Sequence, residues 1–514
     1  MRWIVRCALA FVLVAAGCSS NRNAGEPGTV NFLLESMPPS FDPRVATDSV
    51  SQHVYGLIFN SLLANDAQMN IVPDLADRWE QRDPVTYVFY LRRGVKFHDG
   101  RAFTSADVKF TFDSILDGRV KTAKRGSFRL VESIEAPDDF TIVFHLREPY
   151  ASFLFNLTRP GIGIVPAGSG PEIAQHPIGT GPFRFVMATV DQEIVLDRNA
   201  AYFGAANETP AQRRNAERVR FRIVPDAIVR ALELRKGSAD VAIDSLSPDT
   251  VVALGKERGI IVDEQPGTTI AYIGFNLEDP VLSHRGVRQA LAYATDRATL
   301  IKYLMRGQAR PAPSLLPPNH WAYNSEVPQY EFDPARADML LDAAGFPRGA
   351  NGVRFHLEFK TSTLESSRLI AEAIADEWKQ VGVAVELRPL EFATFYADLQ
   401  RGSFQLSTQR WVGGNNDPDI FESVFSSKKF PPSGSNRGRY RNPQLDALLD
   451  QARTETDREK RKALLWEIQK IVAEDEPYIN LWYPDVVCIH RERLTDIVLS
   501  PTGDYDFLVG AKLR

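Results

Sequence analysis

The hydrophobic positions of this chain change period along its length, and three textures follow one another. In the first, "TVNFLLE" (29 to 35) alternates as a strand, and "MPPSFDPR" is a Pro-rich turn. "DSVSQHVYGLIFNSL" (48 to 62) then puts Val50, Val54, Leu57, Ile58 and Leu62 on one side of a helix. "TYVFYLRR" (86 to 93) and "TIVFHLRE" (141 to 148) share one pattern and end in charged turns, as antiparallel strands wet on one face do. From residue 176 strands dominate: "HPIGTGPFRF" is a tight turn into a strand, "EIVLDRN" is a strand, and "VRFRIVPDAIVRALELRKGSADVAI" reads strand, helix, strand.

Near residue 269 helices take over. "HRGVRQALAYATDRATLIKYLMRG" carries Val287, Ala290, Leu291, Ala294, Leu300, Ile301 and Leu304 at helical spacing, with Gly307 as its stop. "RFHLEFKT", "ESSRLIAEAIADEWKQVG" and "VAVELRPL" form a βαβ unit, with Leu369, Ile370, Ala373, Ile374 and Val381 as the buried helix face and Gly382 as its end. "NPQLDALLDQAR" and "DREKRKALLWEIQKIVAED" are amphipathic helices leading into the strand "YINLWYPDVVCIH". There is no internal repeat.

Composition narrows the class. The 514 residues, 44% hydrophobic, suffice for a large core and roughly three domain-sized units. Net charge is −5 with scattered Lys and Arg, so the concentrated basic face of a nucleic-acid binder is missing. "MRWIVRCALAFVLVAAGCSS" has the basic, apolar, small-residue order of a secretory signal, and it is too short for a permanent span. Ala15-Ala16-Gly17-Cys18 resembles a lipobox, with Ala15 where leucine is usual. The expectation is a signal over 1 to 17, lipidation at Cys18, a tether over 18 to 28, and an extracytoplasmic, membrane-anchored body. Of three cysteines only Cys488 stays in that body, as a buried inert thiol, so no disulfide is expected.

The blocks "SFDPR", "YGLIFNSL", "IVPDLADRWEQ", "TYVFYLRRGVKFHDGRAFTSADVKFTF", "PIGTGPFRF", "ALELRKGSADVAI", "YIGFNL", "HRGVRQALAYATDRATLI", "FDPARADMLLDAAGF", "IAEAIADEWKQVGVAVEL" and "DREKRKALLWEIQKIVAEDEPYINLWY" occur in unbroken order. Together they resemble family 5 of the extracytoplasmic solute-binding proteins, which serve ABC importers of peptides, dipeptides and nickel. The resemblance implies an α/β, bilobal periplasmic-binding-protein fold of type II, in the large class with an extra subdomain. Lobe I would take residues 29 to 49, 176 to 268 and 485 to 514, the subdomain 50 to 175, and lobe II 269 to 484. The crossings near 268 to 272 and 482 to 486 would be the hinge. The implied function is capture and delivery of a peptide or other small polar solute to an ABC permease by a monomer, with no catalysis and no cofactor. The alternatives are a sugar, an organic anion or a nickel complex as solute, or a receptor presenting its ligand to a membrane sensor.

The resemblance also points to site residues. "QRWVGGNNDPDIFESVF" supplies Trp411, Gly413, Gly414, Asn415, Asn416 and Asp417 as one wall of the cleft. Trp411 offers a rigid apolar face, and the glycines permit close approach of backbone to ligand. Peptide-binding relatives commonly hold an aspartate three residues after this tryptophan for the ligand's α-ammonium; here Gly414 stands there. That loses a charge-assisted bond of ~1.5–3 kcal/mol. Arg410, one residue before Trp411 on a strand, should face the other way and form a salt bridge elsewhere. "DPRVATDS" offers Thr47, Asp48 and Ser49 from the opposite lobe, with Asp48 open to a second reading as a helix cap. Tyr272, on the first crossing strand, completes the set.

Other chemistries lack their signatures. None of the eight histidines lies within four residues of another, and no H-E-x-x-H, G-x-S-x-G or nucleotide-binding Gly-rich Lys-Ser/Thr loop occurs. "RRGVKFHDGRAFTSADVKFTF" (92 to 112) looks reactive, yet it reads locally as scaffold. Asp99-Gly100 makes a bend, and Thr104 with Asp107 starts a helix whose apolar face is Val108, Phe112, Ile115 and Leu116.

Overall fold

A computed structural model describes residues 26 to 158, 162 to 204, 216 to 413 and 416 to 514. One 12-stranded sheet runs through most of the chain. Its spine is the strand Tyr478–Arg491, fourteen residues long. The first half of that strand pairs with Ile270–Phe275, and beyond this lie Leu406–Trp411, Phe355–Ser362 and Val383–Leu390. The second half pairs with Ile260–Pro266 and Val241–Ile243, and beyond these lie Thr29–Leu34, Arg218–Ile223, Glu193–Arg198 and Phe183–Thr189.

Each half of the sheet is covered on both faces, as a mixed α/β layer must be to bury its apolar strands. Around the second half, Val30, Phe32, Val219, Phe221, Val241 and Cys488 pack on one face, and Leu33, Leu234, Leu254 and Ile489 on the other. Around the first half, Ile273, Leu291, Phe359, Ile374 and Trp378 fill one face, while Tyr272, Phe421, Leu445 and Ile468 fill the other. A third core, including Phe89, Phe112, Phe144 and Phe153, lies between the helix Ser105–Leu116 and a separate four-stranded sheet.

The two sheet halves change over where backbone chemistry forces it. Pro484 has no N–H to give the ladder. A Cβ on Gly267 would lie 2.2 Å from the Pro484 carbonyl oxygen, so the chains approach closely only because residue 267 is glycine. The Thr268 N–H leaves the sheet to donate to Pro501 at 3.0 Å.

Local differences from the sequence reading have local causes. The first helix is Ser49–Ile58, shorter than the apolar run, and Asp48 caps it by accepting from Ser51 N at 2.8 Å. Val54, Leu57 and Ile58 join the core around Thr29–Leu34, not the Phe89 core. The turn "PIGTGPF" closes over the end of this helix: Gly181 N donates to Ile58 O at 2.8 Å. Cβ atoms on Gly179 and Gly181 would lie 2.0 and 2.5 Å from the Ile58 and Leu57 oxygens. The long expected helix around Leu291 is two, Arg285–Tyr293 and Arg297–Leu304, because Asp296 caps the second by accepting from Thr299 N. In Glu365–Gln380 the buried stripe is Ala371, Ile374 and Trp378, and Leu369 is 41% exposed.

The histidine of "RRGVKFHDG" holds the "PIGTGPF" turn. His98 Nδ1 accepts from Gly179 N at 3.4 Å, and Nε2 lies 3.0 Å from Gly181 O, so Nε2 carries the proton of a neutral ring. Burial pushes His98 down in keeping with that state. Asp107 accepts from Thr104 N at 2.8 Å and from Ala167 N at 2.8 Å, so this stretch is scaffold.

The loop after Trp411 is anchored from behind. His320 Nδ1 accepts from Ala322 N at 3.0 Å, which leaves Nε2–H to donate to Asn416 O at 3.2 Å. Asp417 accepts from Ser152 Oγ at 2.7 Å, Arg461 donates to Ser152 and Asp419, and Arg453 pairs with Glu148 at 2.7 Å. Residues 148 to 152 belong to the segment that forms the Phe89 core, so this knot ties it to the sheet half that carries Trp411.

Two measurements test these assignments. Gly181→Ala is expected to lower unfolding free energy by about 1–3 kcal/mol, as overpacking against backbone does. Gly56→Ala, inside a helix with nothing near its Cβ, is expected to raise it by about 0.5–1 kcal/mol. Urea titrations that rank the two variants the other way would refute the packing. Burial pushes His320 down to about 3, so the stability it confers as a neutral ring is complete above pH 6.5 and is lost as pH falls. Between pH 7.5 and 5 the wild type is expected to lose about 2 kcal/mol more than His320→Gln. Equal losses would show that His320 does not titrate on unfolding.

Candidate functional site

Three strands run parallel at one end of the sheet, Phe355–Ser362 beside Val383–Leu390 and beside Leu406–Trp411. Their carboxyl ends therefore meet along one edge, the position where open α/β sheets take ligands. Trp411 ends the last of these strands. Leu364, Phe392 and Val412 stand exposed at the same edge, and Tyr396 stacks on Phe392 with centroids 6.0 Å apart.

Trp411 sits at the end of an aromatic column. Tyr478 stacks on Tyr272 at 4.3 Å, and Tyr272 stacks on Trp411 at 6.1 Å with planes 7° apart. Tyr272 is fully buried, and its hydroxyl donates to Gln409 Oε1 at 3.1 Å. It therefore stands behind Trp411 and not at the surface. The column fixes the orientation of Trp411, which is half-buried.

Arg437, absent from the sequence-derived set, covers that column. Its guanidinium carbon lies 5.1 Å from the Trp411 ring centroid and 5.3 Å from that of Tyr396. Nη1 donates to Gln409 Oε1 at 2.8 Å. No local signal separates Arg437 from Arg439 and Arg441 in "SNRGRYRN"; both of those reach over Phe430 instead.

The remaining sequence-derived residues are placed as follows. Gly413 has φ of 68° and nothing within 4 Å of the point a Cβ would occupy, so glycine serves its left-handed backbone and not close packing. Gly414 and Asn415 lie outside the described residues, as does Cys18. Asn416 and Asp417 are buried in the anchoring network, with the Asn416 carbonyl on His320 and the Asp417 carboxylate on Ser152. Burial holds Asp417 up at about 6, against the pull of Arg461. Asp48 is occupied as a cap, while Thr47 and Ser49 are exposed beside it. Arg410 is exposed on the face away from Trp411, and no ion pair holds it among the described residues. Desolvation raises the carboxyl of Asp244, itself a surface-exposed residue, and the Arg410 charge acts across the changeover to lower it.

Among the described residues no three His, Cys, Asp or Glu side chains converge as a metal would require, and no helix is long and apolar enough to cross a membrane. The edge can stack on a flat or apolar group and offer donors to an acceptor. It holds no nucleophile with an adjacent base among the residues described.

Comparison with known proteins identifies the family. Residues 70–431 match the family model of bacterial extracellular solute-binding proteins, family 5 middle. The chain is 28% identical to the dipeptide-binding protein of Escherichia coli K12, covering 93% of this chain and 94% of that protein. It is 29% identical to heme-binding protein A of Haemophilus influenzae, covering 98% of each. A solved structure of the ABC transporter-associated periplasmic binding protein DppA from Helicobacter pylori, in complex with the peptide STSA, superposes with a TM-score of 0.76 at 27% identity over 94% of this chain and 98% of that one. With a bilobal fold and a family-model match over most of its length, the chain belongs to the family 5 bacterial extracellular solute-binding proteins, the non-enzymatic solute-capturing components of ABC importers.

Proposed function

We propose that this chain captures a peptide or another small polar solute between its two lobes, and that Trp411 is the surface the solute stacks on. The observation that carries the reading is the column Tyr478–Tyr272–Trp411, which spends two buried tyrosines on orienting one ring at the carboxyl edge of the sheet. Lobe I comprises 29 to 58, 176 to 268 and 485 to 514, so the helix capped by Asp48 moves with it. The segment from 59 to 175 is the subdomain, and lobe II is 269 to 484. The Ser152–Asp417 contact makes the subdomain travel with lobe II's loop as well, which limits how far the cleft opens.

A solute shifts the open–closed balance only as far as it binds the closed form better, so it must touch both walls. Trp411 and Gly413 belong to one wall, and Thr47 and Ser49 belong to the other. Relatives are named for binding a dipeptide in one case and heme in another, which supports leaving the solute class broader than peptides. With Gly414 in place of an acid, an α-ammonium group finds no partner at that position, so the solute is gripped through other groups. Lipid attachment at Cys18 and a monomeric body complete the reading.

A thermal-shift panel of dipeptides, oligopeptides, sugars and organic acids tests it. A solute present at 100-fold its Kd is expected to add roughly 2.7 kcal/mol of stability. Trp411→Ala is expected to abolish that shift. Gly414→Asp is expected to improve binding of dipeptides over their N-acetyl forms by about tenfold or more. A solute whose shift survives Trp411→Ala unchanged would place the cleft elsewhere.

A further inference from the structure

We propose that the cavity where the two sheet halves change over is a second ligand site, apart from the Trp411 edge. It takes a small organic cation, an ammonium group on a short apolar body. The site stands independently of solute capture at Trp411.

The cavity has a volume of about 210 Å³, room for roughly seven waters or one small organic molecule. In the division into lobes given above, its walls come from three parts of the chain. Pro266, Asp485 and Pro501 belong to lobe I, Arg310 and Pro317 to lobe II, and Ala67 to the subdomain. Asn319 Nδ2 donates to the Ala67 carbonyl at 2.8 Å, which joins the last two walls. Neither Trp411 nor Tyr272, Thr47 or Ser49 lines this space.

The lining is poor in donors and holds one acid. Four prolines face the cavity, and none carries an N–H. The Tyr483 hydroxyl is engaged by the carbonyls of Ser314 and Leu316. The Asp485 side chain is 7% exposed, and its Oδ1 has no hydrogen-bond partner. Among the described residues no other buried carboxylate oxygen is left so. Arg310 Nη2 stands 3.6 Å from Oδ1, beyond hydrogen-bond reach, on a side chain that is 54% exposed.

A buried carboxylate without donors is costly unless something supplies them. Burial raises the Asp485 carboxyl; Arg310 pulls it down and Glu264 pushes it up. Two acids therefore face one arginine whose charge is largely spent on water, and the excess is negative. That excess selects a cation over a neutral donor and repels an anion. The proline rings and the Tyr483 ring offer the apolar body its contacts.

Calorimetry and melting shift on the full purified chain test the site. The probes are n-butylammonium and benzylammonium, each beside its alcohol and its carboxylate. At least one ammonium ion is expected to bind about 10- to 100-fold tighter than its alcohol, with the carboxylates weakest. Asp485→Asn is expected to erase that ratio, and Arg310→Gln, which removes the competing cation, to raise ammonium affinity. Asp249→Asn, at an exposed acid that pairs with Arg306 between the same lobes, is expected to leave the ratio unchanged. Ala67→Phe places a ring in the cavity and is expected to weaken both ammonium ions. Ala67 is exposed, so this variant reads the site whether or not Asp485→Asn folds. Alcohols that bind as tightly as ammonium ions, a preference that survives Asp485→Asn, or binding by no probe overturns the site. None of those results bears on capture at the Trp411 edge.

Discussion

The architecture depends on one strand serving two sheet halves. Tyr478–Arg491 gives its first residues to the half with Trp411 and its last to the half with Thr29–Leu34. Among the described residues this strand and the Ile260–Phe275 segment cross between the halves. Pro484 withholds a donor at the changeover, and Gly267 lets the facing backbone close in on the Pro484 carbonyl. A sheet can bend most easily where its ladder is interrupted. Each half is buried on both faces, and the ladder between them is interrupted at their seam.

The site is built on one half. Its ring is fixed by two tyrosines rooted in the crossing strands, so Trp411 is coupled to the seam through Tyr272 and Tyr478. The loop after Trp411 is restrained through its backbone by His320 and through Asp417 by Ser152. Polar residues that look like ligand contacts in one dimension are thus partly consumed in holding the wall. Asp485 is the converse case, a buried acid that lines a cavity and has no donor on one oxygen. Buried polar groups are normally satisfied internally, so the exceptions carry the information.

Much of the fold is legible in the linear pattern of residues. Helices and strands follow from periodicity because core faces repeat at 3.6 or 2 residues whatever the tertiary detail. The departures arise where a tertiary or capping partner overrules that repeat. Asp296 splits an apolar run that is continuous in sequence by capping a second helix. The stripe on Glu365–Gln380 is displaced to Ala371, Ile374 and Trp378 because Trp378 packs on Phe359 and donates to Thr295. Asp48 takes the cap, one of the two roles the sequence allows.

By itself the sequence determined the extracytoplasmic class, the α/β texture and the family. These depend on residue identity and local order, which a linear chain displays. Only the tertiary structure decided which arginine lies over Trp411. Arg437 meets Gln409 from 28 positions away and Tyr396 from 41, while its neighbours Arg439 and Arg441 turn to Phe430. Burial and unfilled hydrogen bonds are properties of packing between distant segments. No local pattern encodes them.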